Sequence, residues 1–159
     1  MNTKVKPNAD RSNIAVDAPI LLAVAIVLTV LLQRLVPLPF LPSLPSRILG
    51  AILFVGGFAF GMPAFRGMLR AKTSPNPHRP ATKLVRDATY RFTRNPMYLG
   101  MLISYAGIST FFQNPWFLLF LPFLVWSFTS FVIIPEERYL EEKFGSEYLE
   151  YKSQVRRWI

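Results

Sequence analysis

The sequence contains no cysteine and a single histidine, His78, in 159 residues. Without thiols there is no disulfide framework, no Cys-ligated zinc or iron–sulfur cluster and no thiolate nucleophile. A lone imidazole among prolines completes no transition-metal site, so no metal is expected and His78 reads as a surface loop residue. Acidic residues are also scarce, 9 Asp+Glu against 18 Lys+Arg. The net charge of +9 would ordinarily raise nucleic-acid binding, but the basic loop lacks a helix-turn-helix, zinc-finger or RNP signature, and no nucleic acid is expected as a partner. What is abundant is apolar: 52% of residues are hydrophobic and 14% aromatic. That composition excludes disorder except at the ends and, at this length, points to a single domain in a bilayer.

Charge is segregated along the chain. Ala18 to Gln33 and Ile48 to Phe65 carry none, and a third uncharged stretch from Met97 runs through Trp116 to Pro135. The Asn114-Pro115 pair breaks this last stretch into a helical hairpin. Runs of this kind approach the ~20 residues a spanning helix needs. The expected fold class is therefore all-α: an integral membrane helical bundle of about four transmembrane helices, with a C-terminal amphipathic cytoplasmic helix. The expected spans are 18–36, 48–68, 97–113 and 115–135, with a cytoplasmic loop over 70–96 and a C-terminal interfacial segment over 136–159. Sixteen of the 18 Lys and Arg fall in the N-terminal tail, in 66–94 or after Pro135, leaving only Arg34 and Arg47 beside the first hairpin loop. By the positive-inside rule, both termini and the central loop are expected in the cytoplasm. The first apolar run follows a long polar lead and precedes no small-residue cleavage site, so it reads as an uncleaved anchor. The Gly57-Phe-Ala-Phe-Gly61 spacing is foremost a helix-packing signal. Trp116, Trp126 and Trp158 read as interface anchors or packing groups.

Two constellations carry potential chemistry. Thr73 to Thr93 form a connection long for a bundle, ending in Arg94-Asn95-Pro96-Met97-Tyr98-Leu99-Gly100. Asn95 suits the N-cap and Pro96 the first helical position. Such a helix start, flanked by Arg94, suits an anionic group such as a carboxylate; the alternative is a well-capped helix with an interfacial Arg and Tyr. After the last apolar run comes Pro135-Glu136-Glu137, and all six Glu residues lie between positions 136 and 150. Adjacent carboxylates in a helix are about 100° apart, so one may face inward. Leu140, Phe144, Tyr151 and Val155 recur at helical spacing around a break at Gly145, which reads as an amphipathic helix pair at the interface. Alternatively the Glu-rich stretch is a solvated face with pairs such as Arg138 with Glu142 and Glu147 with Tyr151.

Leu84-Val85 with Tyr90, then Arg94 to Gly100, and later Glu136-Glu137, Leu140, Phe144-Gly145, Glu147 to Tyr151 and Val155, together resemble the isoprenylcysteine carboxyl methyltransferase family of integral membrane enzymes. The resemblance covers roughly Thr73 to Val155. Phospholipid N-methyltransferases share the Arg-Asn-Pro-x-Tyr-like and Glu-Glu elements. The resemblance implies an S-adenosylmethionine-dependent methyltransferase whose cofactor sits among the central loop, the last two spans and the C-terminal helix. Carried over by position, Thr82, Lys83, Leu84 and Val85 match the loop that contacts the cofactor, and Tyr90 matches its aromatic wall. Asn95, Pro96, Met97 and Tyr98 match the head of the third span, where the family usually has His in place of Asn95. Glu136 matches the cofactor-binding carboxylate, while Glu137, Tyr148 and Tyr151 match supporting positions. Arg94 and Tyr98 are the expected catalytic positions. Arg94 would meet the cofactor carboxylate or simply anchor the loop, and Tyr98, with Tyr90, would hold the sulfonium by cation–π attraction. In-line methyl transfer needs alignment and a dry site more than a strong acid.

Two departures bear on the substrate. The isoprenylcysteine enzymes carry a substrate-binding Arg four residues before the first Glu, where this chain has Val132, and their Gly-x-Tyr turn reads Ala88-Thr89-Tyr90. The expected acceptor is therefore a hydrophobic or lipid-like carboxyl, thiol or amine compound entering laterally from the bilayer, in a protein of the prokaryotic inner membrane. The competing readings are a non-catalytic four-span scaffold and a lipid-binding module or small transporter; the near absence of ionisable groups within the spans argues against the transporter.

Overall fold

A computed structural model of the chain describes Ser12, Ile14 and residues 16–159. It is all-helical, and among the described residues there is no strand. The elements are α1 (Ala18–Leu35), α2 (Ser43–Arg70), α3 (Pro96–Phe111), α4 (Pro115–Ser127), α5 (Ile134–Phe144) and α6 (Ser146–Gln154), with a 3-10 turn at Ala88–Arg91. Three stretches are long and apolar enough to cross a membrane: α1, α2 and the continuous helix Pro115–Phe144. α3 has 16 uncharged residues, about 24 Å of helix against a hydrocarbon core of ~30 Å. Outward-facing side chains such as Leu35, Val55 and Phe58, each more than half exposed, make a surface that only an apolar solvent covers without penalty.

Helix ends follow local chemistry. α3 and α4 each begin with Pro in the first turn, where the missing N–H is one that no intrahelical carbonyl would accept. Asn114 accepts from the Trp116 N–H through Oδ1 at 3.1 Å and donates from its buried amide to the Thr29 carbonyl at 3.0 Å. It therefore caps α4 and ties α1 to the same end. α2 and α3 both stop in Schellman geometry. Lys72 and Gln113 take positive φ (both 56°), and Thr73 N donates to Met68 O as Asn114 N does to Ser109 O.

α2 and α3 share the largest helix–helix interface, and glycine sets their separation. A Cβ added at Gly57 would lie 2.6 Å from the Gly100 carbonyl oxygen, and one at Gly107 would lie 2.8 Å from the Gly50 carbonyl oxygen. The two pairs are one heptad apart on each antiparallel helix. A Cβ added at Gly61 would lie 3.7 Å from the Gly100 Cα, a looser fit, although one at Gly100 would lie 3.0 Å from the Gly61 Cα; Gly56 meets open space. The close approach thus rests on Gly50, Gly57, Gly100 and Gly107 more than on the Gly57/Gly61 pair singled out by spacing.

The last long helix differs from its expected division into a span over 115–135 and a separate interfacial segment. It runs unbroken from Pro115 to Phe144, widening to π-helical hydrogen bonding over Phe128–Ile133. Pro135 supplies the reason. It has no N–H for the carbonyl one turn back, and its ring would clash there, so the helix loosens immediately ahead of it. The extra residue turns Glu136 and Glu137 toward the interior. Gly145, at φ 53°, then ends α5 and starts α6.

The loops over 36–42 and 112–114 meet at one end of the bundle, where Trp116 Nε1 donates to the Val36 carbonyl at 2.9 Å. The loop over 71–95, α5, α6 and the start of α1 gather at the other.

Candidate functional site

At this second end a partly open cavity of about 70 Å³ lies between the 74–95 loop, the head of α3, α5 and α6. Loop conformation is set by side-chain bonds in place of regular structure. Thr73 Oγ1 accepts from the Thr82 N–H at 3.0 Å, Thr82 Oγ1 donates to the Lys72 carbonyl at 2.9 Å, and Tyr139 Oη accepts from the Ala81 N–H at 3.0 Å. Farther along, Arg86 pairs with Glu147 at 2.8 Å and joins the loop to α6. The interaction of Lys152 with Glu141 joins α6 to α5.

The head of α3 is held differently from its expected cap. Asn95 sits at the cap position, but its side chain makes no capping bond. Instead its Nδ2 donates to the Arg157 carbonyl at 2.9 Å, and the Thr93 hydroxyl donates to the same oxygen at 2.9 Å. The Arg94 N–H donates to the Arg156 carbonyl at 2.9 Å, and Trp158 Nε1 donates to Thr129 Oγ1 at 3.2 Å. Residues 156–158 thus form a strap across the Thr93-Arg94-Asn95 turn. The buried Asn95 can be satisfied by this carbonyl because the strap brings it there.

Charge inside the cavity is paired selectively. Glu137, nearly fully buried, receives Arg157 through Nε at 3.1 Å and Nη2 at 2.7 Å, and Arg94 Nη2 at 3.1 Å. Arg94's side chain is 8% exposed, yet its Nε and Nη1 are buried with no hydrogen-bond partner. Leaving charged donors buried and unmade is costly, so the arrangement calls for an acceptor at the cavity wall. Glu136 accepts from Tyr98 Oη at 2.8 Å. Tyr151 donates to the Tyr90 carbonyl at 2.8 Å, and Tyr90 donates to Met68 Sδ at 3.3 Å. Burial pushes the hydroxyls of Tyr90 and Tyr148 upward, and pushes that of Tyr151 up to about 12 against the lowering pull of Arg94 and Arg86. All three are neutral rings and donors at physiological pH.

Of the positions carried over from the sequence, Lys83, Val85, Tyr90, Arg94, Asn95 and Pro96 line the cavity, as do Met97, Tyr98, Glu136 and Glu137. Tyr148 and Tyr151 line it as well. Thr82 and Leu84 do not: Thr82 spends its hydroxyl on the Lys72 carbonyl, and period-two alternation in an irregular loop turns Leu84 away from the wall that Lys83 and Val85 reach. Sequence reasoning missed Met68, Tyr139 and Arg157. Their spacing carries no motif; only folding brings them beside the loop.

Two further spaces adjoin this cavity. A chamber beside the start of α1 shares Met97 and Tyr98 with it. Beyond Phe65 and Met101 the chamber meets an apolar groove along α2 and α3, lined by Gly57, Phe58, Gly61 and Tyr105.

With this geometry in view, similarity to known proteins can be placed on it. A profile of the family described as phospholipid methyltransferase matches residues 45–147, which include α2, the loop, α3, α4 and α5. The chain is 40% identical over 72 residues to protein-S-isoprenylcysteine O-methyltransferase of Saccharomyces cerevisiae, covering 45% of this chain and 30% of that protein. It is 37% identical over 73 residues to protein-S-isoprenylcysteine O-methyltransferase B of Arabidopsis thaliana, covering 46% of this chain and 37% of that one. An uncharacterized protein of Haemophilus influenzae is matched over its whole length, 63 residues at 38% identity. The match spans about a third of the length of the two named enzymes. No solved structure matches. The family resemblance read over roughly Thr73 to Val155 is borne out, and the profile, matching well over half of the sequence, shows that the chain belongs to the phospholipid methyltransferase family.

Proposed function

We propose that the chain is a multi-pass membrane methyltransferase that uses S-adenosylmethionine and acts on a hydrophobic acceptor drawn from the bilayer, with its basic end in the cytoplasm of a prokaryotic cell. The observation that carries this reading is Arg94, buried at the cavity wall with Nε and Nη1 unpartnered. These are donors suited to an anionic group such as a carboxylate.

The residues present fit the cofactor's three parts. Arg94 would hold the carboxylate. Glu136, whose Oε2 already accepts from Tyr98, would accept from amino or ribose donors. Tyr90 and Tyr98 would set ring faces against the sulfonium, an attraction of ~0.5–2 kcal/mol each. Bound there, S-adenosylmethionine supplies a methyl group activated by positive sulfur. Glu137 acts on this site through Arg94: Arg157 holds the Glu137 carboxylate, which in turn fixes the Arg94 guanidinium from behind. Met97 and Tyr98 belong to both the cavity and the adjoining chamber, so an acceptor head in the chamber meets the methyl donor at these two side chains. The apolar groove leading there has the character of a tail-binding surface.

Calorimetric titration of S-adenosylmethionine and its demethylated product into the purified protein tests this reading. Saturable binding is expected, weakened by Glu136→Ala by about tenfold or more, the scale of one lost charge-assisted hydrogen bond. Glu150→Ala, on an exposed side chain, should leave it unchanged. No binding to folded protein in detergent and in lipid nanodiscs, or equal losses in the two variants, overturns the assignment.

A further inference from the structure

The chamber between cofactor cavity and groove has a charge pattern unlike that of its neighbours. Arg79, Lys83 and Arg94 line the cofactor cavity. Among the described residues, no Lys or Arg lines the chamber or the groove, and Asp17 is the single acidic side chain along both. Asp17 occupies the N-cap position of α1, yet its side chain makes no capping hydrogen bond. Pro19, one of the two residues whose N–H such a cap would engage, has none to offer. The carboxylate turns instead to the only histidine of the chain: Oδ1 lies 2.7 Å from His78 Nε2. Ser12, whose hydroxyl donates to the Pro77 carbonyl, adds a second tie between the start of the chain and this loop. Asp17 is thereby held at a fixed point of the chamber wall, on the same wall as Tyr98 and Met97.

We propose that Asp17, oriented by His78, is the residue that recognises the acceptor's headgroup, and that it selects a basic amine over a carboxylate. An alkyl tail in the groove past Phe65 and Met101 places the head beside Asp17 and Tyr98. An ammonium or amine there gains a charge-assisted hydrogen bond. A carboxylate meets a like charge, and among the described residues no Lys or Arg lines the chamber to offset it. Val132, buried in the core, supplies no positive charge from the fourth helix either. The term acceptor rests on the methyltransferase reading, whereas headgroup recognition by Asp17 stands on the charge pattern alone.

The test is photo-cross-linking in phosphatidylcholine nanodiscs without any cofactor. Three sixteen-carbon probes carry a mid-chain diazirine and differ only in an amine, a carboxylic acid or an alcohol head. The amine should label peptides containing Phe65 or Met101 more strongly than the acid by about tenfold, the scale of one charged hydrogen bond. Asp17→Asn should remove that preference while leaving alcohol labelling and thermal stability unchanged. Asp17→Lys should invert it, and His78→Gln should reduce it partially through loss of orientation. Equal labelling by amine and acid, an unchanged ratio in Asp17→Asn, or failure of the amine to label these peptides overturns the assignment. Amine-selective labelling in a protein that binds no S-adenosylmethionine would instead count against the methyltransferase reading and leave the role of Asp17 standing.

Discussion

Arg94 carries two kinds of interaction on one guanidinium. Nη2 faces Glu137, which Arg157 also engages, while Nε and Nη1 have no hydrogen-bond partner. The division gives a specific expectation. Arg94→Met should weaken binding of S-adenosylhomocysteine by ~10–100-fold, one to two charge-assisted hydrogen bonds. Binding of 5′-methylthioadenosine, which has no carboxylate, should change by no more than about twofold. Equal losses for both ligands, measured by calorimetry on protein of unchanged Tm, would place the carboxylate elsewhere. The start of α3 was legible at this scale because Pro96 after Asn95 marks a helix beginning from local sterics alone. The partners of Asn95 and the link between Asp17 and His78 were not, since each depends on a residue more than sixty positions away. Sequence spacing carries no record of such pairings.

Among the elements, the α2–α3 interface shows how small residues govern a membrane bundle. In lipid no hydrophobic force drives helices together, so packing and close backbone approach must do it. Gly57→Ala should lower the melting temperature, because a Cβ there would meet Gly100 O and Ser104 N, both at 2.6 Å. The cost is expected at ~1–3 kcal/mol, the range for overpacking. Gly56→Ala, one residue away with nothing within 4 Å, should be neutral or should stabilise by up to about 1 kcal/mol through helix propensity. Thermal unfolding in one detergent compares the pair, and a similar drop in both would refute the geometric account. Periodicity and charge sufficed to read an all-helical chain with long apolar helices. They did not show that Gly50 and Gly107 face each other, nor that the last helix passes Pro135 without breaking. The first needs the register of two helices, and the second needs a π-turn that no propensity encodes.

For the whole molecule, the two ends have opposite character. One gathers short loops with Arg34 and Arg47, while the other holds the cavity and most of the remaining Lys and Arg. If the cavity end is cytoplasmic, Ser43→Cys should react with a membrane-impermeant maleimide on intact cells. Pro80→Cys should react only after permeabilisation. The absence of native cysteine makes each signal free of background. Reaction of Pro80→Cys on intact cells would invert the proposed orientation.

The strap of residues 156–158 also has a consequence in time. Its Arg157 carbonyl satisfies Asn95 across 62 residues of chain, and its guanidinium holds the carboxylate behind Arg94. Ribosomes deliver ~5–20 residues per second, so the head of α3 waits several seconds, already translated, for the segment that fixes it. During that interval α2 and α3 can zip along their glycines, while Asn95 and Glu137 lack the partners that residue 157 supplies. Packing of the helices and fixing of the Thr93-Arg94-Asn95 turn are therefore separable in time, and a nascent chain halted before Arg157 would hold its helices with Asn95 and Glu137 short of these partners.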